Sequence, residues 1–172
     1  SAGSKRQGAK VRAKAKKALA RCPKNAGRQL GLLRVLVGDV ARAGALLSQA
    51  PGLGWSSPDH PGHTVFPLVA LMLSTGPIVD ALMKELDATG RDAFESFPPD
   101  DERKRTPDTP SMSSLIRAVR PGIVVANADA NAAIDAMRTA ADKRTVGILG
   151  NSRRQHYGQA ALLVASCVAF AP

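Results

Sequence analysis

Residues 26–49 read AGRQLGLLRVLVGDVARAGALLSQ, and this stretch decides the fold class. Leu30, Leu33, Val37, Val40, Gly44 and Leu47 recur at helical spacing, and Leu32, Leu36 and Ala43 lay a second apolar stripe beside them. A helix with two apolar sides must be covered on both, as in a helical bundle or a stack of helix pairs. The pattern predicts one helix over 26–49. Each of Gly31, Gly38 and Gly44 costs such a helix about 1 kcal/mol against Ala. Their presence predicts close approach of neighbouring helices.

Upstream, residues 5–22 read KRQGAKVRAKAKKALARC. Lys10, Lys14, Lys17 and Arg21 recur at steps of four and three, while Val11, Ala15, Ala18, Leu19 and Cys22 form a weak apolar stripe on a neighbouring face. This predicts an amphipathic helix with one basic side, stopped by Pro23. Charge is concentrated here. Of the 24 Lys and Arg, ten fall within residues 1–28, which contain none of the 14 acids; the remainder carries 14 of each sign. Any inference about anionic partners therefore rests on that segment. The expected organisation is a basic helical arm over 1–24 and an all-α domain over 25–172.

Downstream, Pro51-Gly52-Leu53-Gly54 breaks the chain, and residues 63–75 (HTVFPLVALMLST) predict a short buried helix with Thr64 as N-cap. Ile78, Leu82, Met83 and Leu86 predict a helix over 77–88. Residues 96–109, SFPPDDERKRTPDT, predict an exposed loop. Thr109-Pro110 reads as an N-cap and N1 proline, followed by a helix with Leu115, Ile116 and Val119. A helix over 130–146 follows, capped by Asn127 or Asp129, with Lys143 and Arg144 in its last turns. Ser152 and Gln155 predict a capping box for a final helix, on which Tyr157, Ala161, Val164 and Val168 make an apolar stripe. Gly122 to Ala126 is the one strand-like run, without an obvious partner.

Composition agrees with helices. Apolar residues are 44% of the chain and aromatic residues only 3%, so the core is built from Ala, Leu and Val. Such a core suits closely packed helices better than a sandwich of β-branched and aromatic side chains. The expected fold is all-α, five to seven helices in antiparallel pairs, as a bundle or short helical-repeat array.

Function is less legible. The sequence contains no GxSxG, Walker, GxGxxG or HExxH motif, so no catalytic residue is assigned and no cofactor is expected. Cys22 and Cys167 lie far apart without CxxC spacing, which argues against a disulfide framework or a cysteine zinc site and for reduced thiols in the cytoplasm. No apolar run approaches the roughly 20 residues that cross a bilayer, so no membrane partner is expected. Asp59, His60 and His63 are candidate metal ligands. Pro61 and Gly62 between the histidines favour instead a structural loop, with Trp55 on the core and His63 capping a helix. Arg153, Arg154 and His156 open the final helix with positive charge against its dipole, which makes them candidate anion contacts or simply solvated cations. Lys10, Lys14, Lys17 and Arg21 are candidate phosphate contacts.

Two phrases carry a resemblance. Ala50 to Trp55, continuing through Asp59-His60-Pro61-Gly62-His63-Thr64-Val65-Phe66-Pro67, is one; Arg153-Arg154-Gln155-His156-Tyr157-Gly158-Gln159-Ala160-Ala161 is the other. Together they resemble the C-terminal helical region of uncharacterised bacterial proteins, some with an upstream SWIM-type zinc finger. The resemblance implies a helical scaffold and a C-terminal fragment of something longer. It brings no catalytic residues, and the zinc-binding cysteines of such proteins are not in this sequence.

Three functions follow as expectations. The first is a non-catalytic interaction or scaffold module of a larger bacterial protein, holding a protein partner or the remainder of a longer chain. The second is a nucleic-acid-binding domain that holds DNA or RNA through residues 5–28. The third is a metal-dependent enzyme centred on the 59–63 loop.

Overall fold

The structure, a computed structural model, describes residues 2–55, 57, 60–84 and 111–170. The exposed loop expected at 96–109, the Thr109-Pro110 cap and Asp59 lie outside the described residues. Eight α-helices, and no strand, occur among the described residues. They are α1 (Ala2–Leu19), α2 (Gly27–Val37), α3 (Val40–Gln49), α4 (Pro61–Leu73), α5 (described over 77–84), α6 (Met112–Val119), α7 (Asn127–Gly150) and α8 (Tyr157–Ala169). The all-α expectation holds; of the strand-like run 122–126, Gly122 closes a 3-10 turn and 123–126 connect it to α7 without forming a strand.

The stretch that decided the fold class is two helices, not one. Gly38 adopts φ 90°, in the left-handed region, where a side chain would be strained. Its N–H bonds the carbonyl of Val35 at 3.0 Å, and the N–H of Asp39 bonds that of Arg34 at 2.9 Å. This pair of bonds is a Schellman cap, and it ends α2. Helical spacing carried across the break because α3 resumes two residues later. The other two glycines do mark close approach. A Cβ on Gly31 would overlap the Val65 side chain of α4, and one on Gly44 would sit 3.0 Å from the Cα of Ala133 on α7.

At the centre lies α4, which touches α2, α3, α6 and α7. It is apolar on every side, and Thr64 through Met72 are all buried. Its N-cap is His60 rather than Thr64, and it begins at Pro61, where a proline at N1 loses no helical hydrogen bond. Thr64, within the helix, is fully buried. Around α4, Val35, Val40, Leu47, Ile116 and Met137 are almost wholly removed from water, together with small residues such as Ala43, Ala133 and Ala140. Ala-rich contact faces let α3 and α7 run close together.

The basic segment is part of this packing. α1 lies against α2 and α6, and Ala15 belongs to the same core as Phe66 and Met137. A Cβ on Gly8 would overlap the carbonyl oxygen of Ala118 on α6, so the two backbones meet there. The Arg12 guanidinium donates to the carbonyl of Gly122. Residues on both sides of position 24 thus contribute to one core.

Other helix ends differ from expectation for local reasons. α6 starts at Met112, because Ser111 caps it by accepting the N–H of Ser114 at 3.2 Å. α7 runs from Asn127 to Gly150, longer than 130–146, with Ala126 as its N-cap. The capping box at Ser152 and Gln155 does not form. Ser152 takes φ 51°, residues Arg154–His156 make a 3-10 turn, and α8 starts at Tyr157.

Candidate interaction surfaces

His60 ends the loop between α3 and α4, and His63 lies in the first turn of α4. The Nδ1 of His60 accepts the N–H of Gly62 at 3.0 Å, and its Nε2 lies 2.9 Å from the carbonyl of Pro51, to which it donates. Both ring nitrogens are therefore used, and the ring is neutral. Burial lowers its pKa below the usual 6.5; the bond to Pro51 opposes this and the Arg144 charge adds to it. The ring stacks on Trp55 with centroids 5.5 Å apart. A Cβ on Gly62 would come within 2.7 Å of the indole, so only glycine fits beneath Trp55. His63 is half-buried, its pKa lowered by burial first and then by Arg28 and His60. No group of three or more His, Cys, Asp or Glu among the described residues is placed to hold a metal ion. With Nδ1 accepting from Gly62 and Nε2 donating to Pro51, the His60 ring has no lone pair free in this arrangement.

One residue of this cluster was missed. Arg144 was expected to complement the helix dipole near the end of α7, but the helix continues to Gly150 and Arg144 is only 2% exposed. Its Nη2 and Nε donate to Gln159 Oε1 on α8 at 2.7 and 3.2 Å, its Nη1 reaches the carbonyl of Gly52 at 3.5 Å, and its Cζ sits 5.7 Å from the centre of the Trp55 ring. This guanidinium joins α7, α8 and the α3–α4 loop. Beside it, a cavity of about 20 Å³ is lined by Trp55, Gly62, His63, Pro67, Leu82, Gln159 and Leu163. That volume holds one water, and the buried Nε1 of Trp55 has no protein partner among the described residues. No substrate fits there.

The candidate anion contacts sit just before α8. Arg153 and Arg154 are exposed and His156 is half-exposed, on and beside the 3-10 turn. His156 Nε2 lies 3.4 Å from Gln155 Nε2, and its pKa is lowered by burial, then by Arg144 and Arg153. The structure groups these three residues at one corner and gives them no common focus.

Two surfaces stand out instead. On α1, Lys10, Lys14 and Lys17 are exposed, as are Lys5, Arg6 and Lys16, with Arg21 just beyond the helix. None of these forms a salt bridge among the described residues. The second surface runs along α7 and α8. The stripe Tyr157, Ala161, Val164, Val168 is the exposed one; Ala160, Leu163 and Ser166 are the buried side of α8. Val164 is 45% and Val168 67% exposed, and on α7 Val146 and Leu149 are 63% and 58% exposed. Between the helices runs a groove of about 330 Å³ lined by Arg138, Ala141, Asp142, Thr145, Val164, Cys167 and Val168. Burial pushes the Cys167 thiol up to about 11, so it is protonated and apolar at neutral pH.

Periodicity did not tell which side of α8 faces in, since Ala, Leu and Val occupy every side. The signal that was available is Gln159, the half-buried polar residue of α8 whose Oε1 accepts from Arg144. Comparison with models of protein families, with curated proteins and with solved structures gives no match.

Proposed function

We propose that this domain is a non-catalytic helical interaction module of a larger bacterial protein, and that the α7–α8 groove receives an amphipathic helix of a protein partner. The observation that carries this is the exposed Val164 and Val168 lining the groove between α7 and α8, with Val146 and Leu149 also exposed on α7. An outer helix pair with an apolar outer face is the edge of a layered helical structure, and such an edge is stable in water when another helix covers it. Residues 138–149 of α7 span about 16 Å, room for roughly three turns of a docked helix. Arg138 and Asp142 lie at the groove, which favours a helix with small aliphatic side chains toward the groove and an acid and a base at its margins.

The setting proposed is cytoplasmic. Cys22 and Cys167 are both free, and no helix among the described residues is long and apolar enough to cross a membrane.

A photo-crosslinking side chain at Val164 tests the reading. In cells of the source, it is expected to give a discrete protein adduct that Val168→Asp abolishes, while the same side chain at exposed Ala132 gives none. Val168→Asp is expected to leave thermal stability within about 0.5 kcal/mol, because surface substitutions of this kind rarely do more. An adduct to a second copy of this chain, or adducts indifferent to Val168→Asp, would overturn the proposal of a separate partner.

A further inference from the structure

Beyond the protein-partner reading, we infer that the exposed face of α1 is a binding surface for the phosphate backbone of a nucleic-acid duplex. At 3.6 residues per turn, Arg6, Lys10, Lys14 and Lys17 fall within an arc of about 80°, opposite Gly8, Val11, Ala15 and Leu19, and extend over roughly 16 Å. That length matches about five phosphates of one strand at 3.4 Å each.

Three observations fix the class of ligand. First, the cations are held on a docked helix. Gly8 meets the backbone of Ala118, Ala15 is buried, and Arg12 binds the Gly122 carbonyl, so the row keeps its spacing relative to the rest of the molecule. Second, the charge is uncompensated. α1 has no acid, no salt bridge among the described residues reaches it, and like charges four apart oppose the helix. A polyanion relieves that repulsion. Third, the exposed residues between the cations are Gln7, Ala9, Ala13 and Ala18. This face has no aromatic ring to stack on a base and no bulky aliphatic to enter a bilayer. It reads phosphate charge and carries no sequence preference.

The test uses the full chain with a 20-base-pair DNA duplex, an RNA duplex of equal length, poly-glutamate, and vesicles of phosphatidylserine with phosphatidylcholine. Binding to the duplexes is followed by fluorescence anisotropy over a salt series. Lys10→Gln with Lys14→Gln is expected to weaken duplex binding at least about tenfold at low salt and to reduce the log–log salt slope by about 2, since each phosphate contact contributes about 0.9. The charge-matched control, Arg42→Gln with Lys84→Gln, is expected to leave both unchanged. Stronger binding to DNA or to RNA duplex supports the surface and names its source. Three results overturn it: no duplex binding by the unaltered chain at low salt, equal loss in the control, or binding to vesicles or poly-glutamate as tight as to either duplex.

Discussion

Gly8→Ala separates two pictures of α1 by the sign of one number. Gly8 lies inside a helix, where replacing glycine with alanine normally gains about 1 kcal/mol. If α1 were a loose arm, the variant would gain that amount in helix stability. In this structure the added methyl overlaps the carbonyl oxygen of Ala118, and a backbone oxygen within α6 cannot rotate away. Forcing a methyl into a packed contact costs typically 1–3 kcal/mol, and lifting α1 to relieve it exposes Ala15, worth about 0.8 kcal/mol. The clash and the lost burial exceed the gain in propensity, for a net loss of about 1–2 kcal/mol. In a chain of this size that lowers Tm by roughly 2–8 °C. Thermal unfolding followed by circular dichroism at 222 nm measures it. Gly158→Ala is the internal control, because a Cβ there meets nothing within 4 Å and the second position of α8 gains a few tenths of a kcal/mol, at most about 0.5. A rise in Tm for Gly8→Ala would refute the docking of α1, and with it the fixed spacing of the lysine row.

Further outcomes follow from other sites. Gly38→Ala is expected to cost about 1–2 kcal/mol, because its φ of 90° strains any side chain and Ile123 Cγ2 would lie 2.8 Å from the new methyl; urea unfolding reads this directly. His60, His63 and His156 all have lowered pKa values in the folded state, so the unfolded chain binds protons first as pH falls. Their contribution to stability is complete above the unfolded value of 6.5 and is lost as pH falls below it; Tm is expected to drop between pH 7 and 5, and to drop less in His63→Gln. Cys167, with its thiol near 11 and half-buried in the groove, is expected to react with a disulfide reagent at pH 8 more than tenfold slower than a free thiol of pKa near 8.5 in a short peptide.

The all-α fold was legible because Leu30, Val40, Gly44 and Leu47 on one stripe and Leu36 and Ala43 on the other report burial on several sides, whatever breaks the chain between them. The break itself was not legible. A glycine inside an apolar period reads equally as close packing or as a left-handed cap, and only the hydrogen bonds of Val35 and Arg34 decide for Gly38. Of the bland reading of the 55–63 loop, Trp55 does pack on the core, whereas His63 lies inside α4 and does not cap it. That His60 rather than Thr64 caps α4 was not legible, since a histidine at an N-cap carries no propensity signal. Arg144 was invisible for a different reason. Its burial depends on Trp55 and Gln159, which stand 89 residues before it and 15 after it, and no local window contains all three. The candidate surfaces divide the same way. The lysine row of α1 follows from spacing alone, whereas the outward face of α8 needed a partner helix to show which side was taken.

The grip of Arg144 on Gln159 has a consequence for tolerance to change. α8 is a nearly uniform aliphatic cylinder, and such a cylinder has several rotational settings of similar energy against its neighbour. Two hydrogen bonds from one guanidinium to one amide oxygen single out one of them, since any other roll angle costs the buried guanidinium both bonds to Gln159. The exposed aliphatic positions of α8, Ala161, Val164 and Val168, are then interchangeable among Ala, Val and Leu at modest cost, while Gln159 acts as the key that indexes the whole helix. Losing it would leave the secondary structure intact and let the outward face wander.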